Sequence, residues 1–249
     1  MKKTIKTGVF ITDTHWVAAE EMHPAYRLVK RFIRAFKPDV LIHGGDLSDW
    51  EFLAKFNKEK LRLLADKTYR KEYDLIQREL DFYQKYCKGV HILLGNHDMR
   101  VYDAIDCFPS LEGLVEFENQ LDLGDIKIYS QLEQPIKFGK LGVLHGWYHT
   151  KHHTDKHLEE YSGNLLYGHM HKHQLSAKIL YGQGGLEIEA QSIACLCDKQ
   201  PDWYKGRPSH WQHQFAVIYW FANGDFQVFP INIIRNRFVA PDGRAWSLE

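Results

Sequence analysis

Five short apolar runs in this chain are each followed at once by side chains suited to metal binding or proton transfer. The first, about residues 5–12, leads into Asp13-Thr14-His15. Val40 to Ile42 lead into Gly44-Gly45-Asp46-Leu47-Ser48-Asp49, and Val90 to Leu94 into Gly95-Asn96-His97-Asp98. The run ending at Leu144 meets His145-Gly146, and residues 164–167 meet Gly168-His169-Met170-His171. Runs this short and apolar read as buried strands. In sheets of alternating strands and helices, ligands gather where strands end. The repetition therefore predicts a layered α/β fold with its chemistry collected along one sheet edge.

The intervening segments fit that frame. Residues 24–36 place Leu28, Phe32, Ile33 and Phe36 at helical spacing behind Pro24, and the charged stretch 51–86 does so with Leu75, Ile76, Leu80, Phe82 and Tyr83. Short helices and loops are expected over 98–119, strands over 126–144, a helix over 150–161, and mostly strands from there to residue 231. Residues 236–249 read as a surface tail. No repeat or Gly/Ser-rich linker divides the 249 residues, so one domain over 1–249 is expected.

Charge narrows the partners little: 32 basic residues balance 32 acidic ones, which removes a global signal for nucleic acid or an anionic membrane but leaves local patches open. The apolar run behind the amino-terminal lysines reaches Asp13 too soon for a secretory core, and no stretch approaches the ~18 apolar residues of a membrane span. The spacing of Cys87, Cys107, Cys195 and Cys197 matches neither a zinc ribbon nor a disulfide framework. Cys195 and Cys197 are read as reduced thiols on one face of a strand, and the cytoplasm as the location. Fifteen histidines, several closely spaced, are the compositional anomaly that directs attention to ligand spacing.

In extended backbone, residues i and i+2 share a face, so Asp13 with His15, and His169 with His171, are expected to aim at one point. The glycines beside Asp46, Asn96, His145 and His169 allow sharp turns and close approach. The donor set is Asp13, Asp46, Asn96, His15, His145, His169 and His171. It is too large for one tetrahedral ion and suits two borderline divalent ions, with Asp46 as a bridge and a water between them.

The ordered blocks D-x-H, G-D-x-x-D, G-N-H-D, H-G and G-H-x-H, spanning residues 13–171, resemble the calcineurin-like metallophosphoesterase superfamily. The resemblance implies a four-layer αββα sandwich of two mixed sheets flanked by helices. It implies that Asp13, His15, Asp46 and His171 hold one divalent ion and Asp46, Asn96, His145 and His169 a second. Manganese is the first expectation, with iron, zinc or nickel admissible. His97 would face the substrate, Asp49 would set its tautomer, and Asp98 would anchor the turn. The reaction implied is attack of a metal-bridging hydroxide on phosphorus.

The block G-D-x-x-D is followed by Trp50-Glu51 rather than Arg-Gly, and Asp98 stands where protein phosphatases of the superfamily carry Glu, so a protein phosphatase is disfavoured. The stretch GNHDMRV, and Pro201-Asp202-Trp203 with His210 to Phe215, are similar to small phage-encoded and bacterial members. A phosphodiesterase acting on nucleic acid (a nuclease) or on nucleotides is the expectation. The alternatives are a phosphomonoesterase on small substrates and a metal-binding scaffold without turnover.

Several residues carry two readings. Arg100 is a candidate to grip a phosphate through its planar fork. His149, His152 and His153 are read as solvated helix positions rather than substrate contacts. Trp16 and Trp50 are read as packing residues rather than platforms for a base. Trp203, Tyr204 and Trp211 form either a rim over the site or a strap on the sheet. The basic segment 55–71 is read as a solvated helix face ahead of a nucleic-acid contact.

Overall fold

The structure, a computed structural model, describes residues 6–18, 20–57, 59, 64–130, 134–201 and 204–248. Its two large sheets are built from strands short enough to cross a core once. In the first, β1 (Lys6–Ile11), β2 (Val40–His43), β3 (Gly89–Leu93) and β4 (Lys127–Tyr129) run parallel, while β10 (Gln214–Trp220) and β11 (Phe226–Asn232) continue antiparallel, in the order β11-β10-β1-β2-β3-β4. The second has the order β5-β6-β7-β9-β8, from β5 (Ile136–Phe138), β6 (Leu141–Val143), β7 (Leu165–Tyr167), β8 (Gln174–Leu180) and β9 (Leu186–Ser192). There β6, β7 and β9 are parallel and the edge strands antiparallel.

Strand alternation sorts the core into three bodies. Val9 and Ile11 face the helices, with Leu41, Ile92, Phe215 and Val217. Phe10, between them in sequence, faces the other sheet and meets Ile42, Leu93, Val143, Leu166, Ala216 and Ile218. On the far side of the second sheet, Leu165, Tyr167, Ile188 and Ala190 pack with Leu158. Helices α1 (Pro24–Phe36) and α2 (Tyr69–Tyr86) therefore cover the first sheet and α5 (His153–Tyr161) the second, which gives the four αββα layers. The short helices α3 (Arg100–Cys107) and α4 (Phe117–Gln120) lie between β3 and β4.

The helix boundaries have local causes. At α1, the His23 side chain accepts from the Ala25 N–H at 3.1 Å, Pro24 supplies a preset φ, and Lys37 closes the helix at φ 50°. Thr68 caps α2 by accepting from the Lys71 N–H at 3.3 Å. The expected surface tail has one face in the core. It is a hairpin of β12 (Arg237–Val239) and β13 (Ala245–Ser247), in which Phe238 is buried against Phe32 and Phe215 and Trp246 stacks on Phe238. No helix among the described residues is long and apolar enough to cross a membrane.

Candidate metal centre

The parallel strands β1, β2, β3, β6 and β7 release their chains at a common edge, and there the predicted residues converge. Asp13 and Asp46 are buried at 0% and 2% exposure. His171 Nε2 lies 3.1 Å from Asp13 Oδ1 and 3.1 Å from His15 Nε2. On the other side, His145 Nε2 is 3.1 Å from His169 Nδ1, 3.2 Å from Asn96 Oδ1 and 3.3 Å from Asp46 Oδ2. Asp46 Oδ2 is also 3.7 Å from His15 Nε2, so this carboxylate belongs to both halves. Four groups of donor atoms among the described residues could each hold a metal ion, and Asp46 is shared by two of them: Asp13, His15 and Asp46, and Asp46, His145 and His169.

The expectation of extended D-x-H and H-x-H segments is overturned. Asp13, His15, His169 and His171 have φ of 50°, 43°, 70° and 53°, and Asp46 has 53°. Five site residues thus sit in the left-handed region, where a non-glycine residue costs on the order of 1–3 kcal/mol. The cost is held by the fold: the Asp13 N–H donates to the Gly45 carbonyl at 3.0 Å, and the His15 N–H to that of Asp46 at 3.1 Å. Glycine is required where the two loops touch. A Cβ at Gly95 would collide with the Asp46 carboxylate, and one at Gly168 with Thr12 and Asp13.

Outer contacts aim the rings. The Gly44 carbonyl lies 2.8 Å from His145 Nδ1, and Asp49 Oδ1 lies 2.7 Å from His15 Nδ1; each fixes a tautomer whose Nε2 lone pair faces the centre. Asp49 Oδ1 is also 2.9 Å from His97 Nδ1, so one carboxylate orients two imidazoles where the sequence reading gave it one. The Arg100 guanidinium donates to the Asp49 carbonyl and approaches His97 Nε2 at 3.3 Å. Asp98, wholly buried, accepts from the N–H groups of Gly95 at 2.9 Å and Leu47 at 3.1 Å, which ties the β2 and β3 loops together.

Trp16 and Trp50 are 4% and 0% exposed and pack on Tyr26 and on Tyr73 and Phe117, as read from the sequence. The solvated reading fails for His153 and holds for His149, which is exposed. His153 is buried with its Nδ1 2.6 Å from the Tyr167 hydroxyl. His149 lies ahead of α5, its Nε2 2.9 Å from His169 Nε2. Its position four residues past His145 was the available signal. Trp211 stands edge-on to His171 with ring centroids 4.0 Å apart, and Tyr204 packs on Trp211. Trp203, the third member of that predicted group, lies outside the described residues, as do residues 58 and 60–63 of the basic segment. Within that segment Lys67 is half-buried and ion-paired with Glu51. Cys195 and Cys197 are buried beyond the end of β9 rather than within a strand.

Burial works against both buried acids by raising their pKa values. His171 and then His145 nevertheless hold Asp13 below the usual carboxylate range, and His145 does the same for Asp46. Burial likewise opposes charge on His145, yet the adjoining Asp46 pushes it up to about 9. His169 is pushed down to about 3 by burial and by His145. Protons on imidazole and divalent cations would compete for the same place. The donor set fits divalent ions: two buried acids call for positive charge, and imidazole nitrogens face one another at contact distance.

A pH dependence follows. The His145 contribution to metal-free stability is complete below about pH 6.5 and is lost as pH rises through about 9, because the folded pKa is the higher one. A metal needs the neutral ring, so loading at pH 7 should expel at least about one proton per chain, and apparent affinity should climb toward pH 9. Calorimetry in buffers of different ionisation enthalpy reads that proton directly. Affinity flat between pH 6 and 9 would contradict it.

The family model described as calcineurin-like phosphoesterase matches residues 8–186. The Gene 54 protein of Mycobacterium phage L5 is 26% identical over 239 residues, covering 87% of this chain and 90% of that protein. Its counterpart from Mycobacterium phage D29 is 23% identical over 241 residues, with 89% and 92% covered. Among solved structures, a single mutant of Vps29 from Entamoeba histolytica aligns with a TM-score of 0.40 at 12% identity, covering 92% of this chain and 99% of that one. Wild-type Vps29 complexed with Zn, from the same organism, gives 0.42 at 11%, with 91% and 98% covered.

Proposed function

The chain belongs to the calcineurin-like phosphoesterase family, and from that premise we propose that it is a dinuclear metal-dependent phosphodiesterase acting on nucleic-acid or nucleotide phosphodiesters. The observation that carries the dinuclear reading is Asp46, which is common to two adjoining groups of ligand atoms, one with Asp13 and His15 and one with His145 and His169. In this reading Asp13, His15, Asp46 and His171 hold one ion, and Asp46, Asn96, His145 and His169 the other. Manganese remains the first metal to supply. When bound, such a pair supplies a hydroxide nucleophile at neutral pH and offsets charge growing on phosphorus.

The chain's own residues do the rest. Asp49 Oδ1 lies 2.9 Å from Nδ1 of His97, whose Nε2 faces Arg100. With both ring nitrogens protonated, the Nε2 proton could pass to a departing alkoxide, leaving the neutral ring, or be donated to a phosphoryl oxygen. The guanidinium beside it suits a diester's non-bridging oxygens. Arg100→Ala should therefore raise KM more than it lowers kcat; a loss confined to kcat would remove Arg100 from substrate binding. Four cysteines present as free thiols fit a reducing cytoplasm.

The substrate class is tested by a manganese-supplemented panel of p-nitrophenyl phosphate, bis-p-nitrophenyl phosphate, cyclic nucleotides, and single- and double-stranded DNA. Diester turnover is the expected result. A preference for the monoester would replace the phosphodiesterase reading with a small-molecule phosphatase. Steep loss with salt on DNA would assign a nuclease, because backbone binding releases counterions.

A further inference from the structure

A sixth chain segment reaches the centre, and the five motif blocks do not include it. Strand β9 runs parallel to β7 and ends at Ser192, on the same edge as the other parallel strands. The residues after it, Ile193 to Cys197, are buried beside the first half of the site. Cys197 Sγ and ring nitrogens of His15 and His171 form a group in which every pair of donor atoms lies within 4.8 Å. We propose that Cys197 is an additional, thiolate ligand of the ion held by Asp13, His15 and His171, and that it biases this position toward zinc or iron and away from manganese. The proposal rests on the dinuclear reading above and deepens it at one of the two positions.

The placement is set by backbone rather than by a wandering side chain. The Leu196 N–H donates to the Asp13 carbonyl at 3.1 Å, which ties the segment to a residue of the same site. The Cys197 carbonyl lies 2.8 Å from His213 Nε2, and the Gln214 N–H donates to the Cys195 carbonyl at 3.3 Å. The two thiols are not equivalent. Cys195 Sγ donates to the Gln212 carbonyl at 3.3 Å and lies against His171 and the Cys197 thiol, and it is not grouped with both rings. Cys197 is the thiol within ligand reach of both imidazoles. A thiolate is a soft donor among hard carboxylates and borderline imidazoles. It strengthens binding of Zn²⁺ or Fe²⁺ far more than of Mn²⁺, and metal coordination deprotonates it outright. A buried cysteine acting only as a small apolar residue would have none of these effects.

Cobalt(II) titration of the full chain distinguishes these cases, because Co²⁺ takes the same ligands as Zn²⁺ and reports sulfur coordination by near-ultraviolet charge-transfer absorption. The proposal expects that band in the wild type, its loss in Cys197→Ser and its retention in Cys195→Ser. It also expects Zn²⁺ affinity, read by competition with a chromophoric chelator, to fall at least about tenfold in Cys197→Ser with Mn²⁺ affinity unchanged. Visible ligand-field absorption without the charge-transfer band, or a band that survives Cys197→Ser, overturns the thiolate ligand and leaves the metal centre standing. A wild-type chain that binds no cobalt overturns both.

Discussion

Replacing Asp46 with asparagine should abolish turnover while leaving the chain folded. The amide keeps the shape, and its Oδ1 can still accept the His97 N–H that now bonds Asp46 Oδ1 at 2.8 Å. What it lacks is the negative charge shared between the two halves of the centre. His145 would lose the partner that pushes its pKa up to about 9, and both metal positions would lose their common anion. The expected fall in kcat is at least about 10³-fold, which corresponds to about 4 kcal/mol of transition-state stabilisation. Metal analysis should show fewer than two ions per chain. Full activity in Asp46→Asn would end the dinuclear account, and a collapse of thermal stability would show that Asp46 acts through folding.

His97→Ala carries the second large effect, and its dependence on leaving group reveals what the ring does. Protonation of the departing oxygen is needed for a nucleoside alkoxide and hardly at all for p-nitrophenolate. As a general acid, His97 should contribute about 10²–10⁴-fold on a nucleotide diester and far less on bis-p-nitrophenyl phosphate. Equal losses on the two substrates would assign the ring to the phosphoryl oxygens instead. Asp49 complicates a parallel experiment, since it holds His15 as well as His97. Asp49→Asn should weaken one metal position and the substrate-facing ring together.

The strand ends and the order of the site residues were legible because a strand that must stay buried cannot carry Asp46 or His97 in its middle. The polar residues therefore mark where each strand stops. The role of Asp98 as the anchor of its turn, implied by the family resemblance, matches its bonds to the Gly95 and Leu47 N–H groups. The left-handed backbone at Asp13, His15, His169 and His171 was not legible. Spacing says which side chains converge but not which φ brings them there, and the hydrogen bonds donated to the Gly45 and Asp46 carbonyls that hold the strained turns are tertiary. The contact of His149 with His169, and of Cys197 with His15 and His171, was not legible for the same reason. His149 is four residues from a ligand with no helix to relate them, and the β9 segment comes to the centre only because β9 pairs with β7. The hairpin at 237–247 was hidden because its core contacts, made by Phe238, Ala240 and Trp246, are tertiary ones to residues such as Phe32 and Phe215.

The central claim is that two divalent ions on these residues make the chain a phosphodiesterase. It is met most directly by stripping the protein with a chelator, restoring Mn²⁺ or Zn²⁺ in steps, and following bis-p-nitrophenyl phosphate hydrolysis against bound metal. The account predicts negligible turnover in the stripped protein and activity that rises with loading and saturates at two ions per chain. Turnover that persists through chelation, or two bound ions with no diester cleaved, would contradict it.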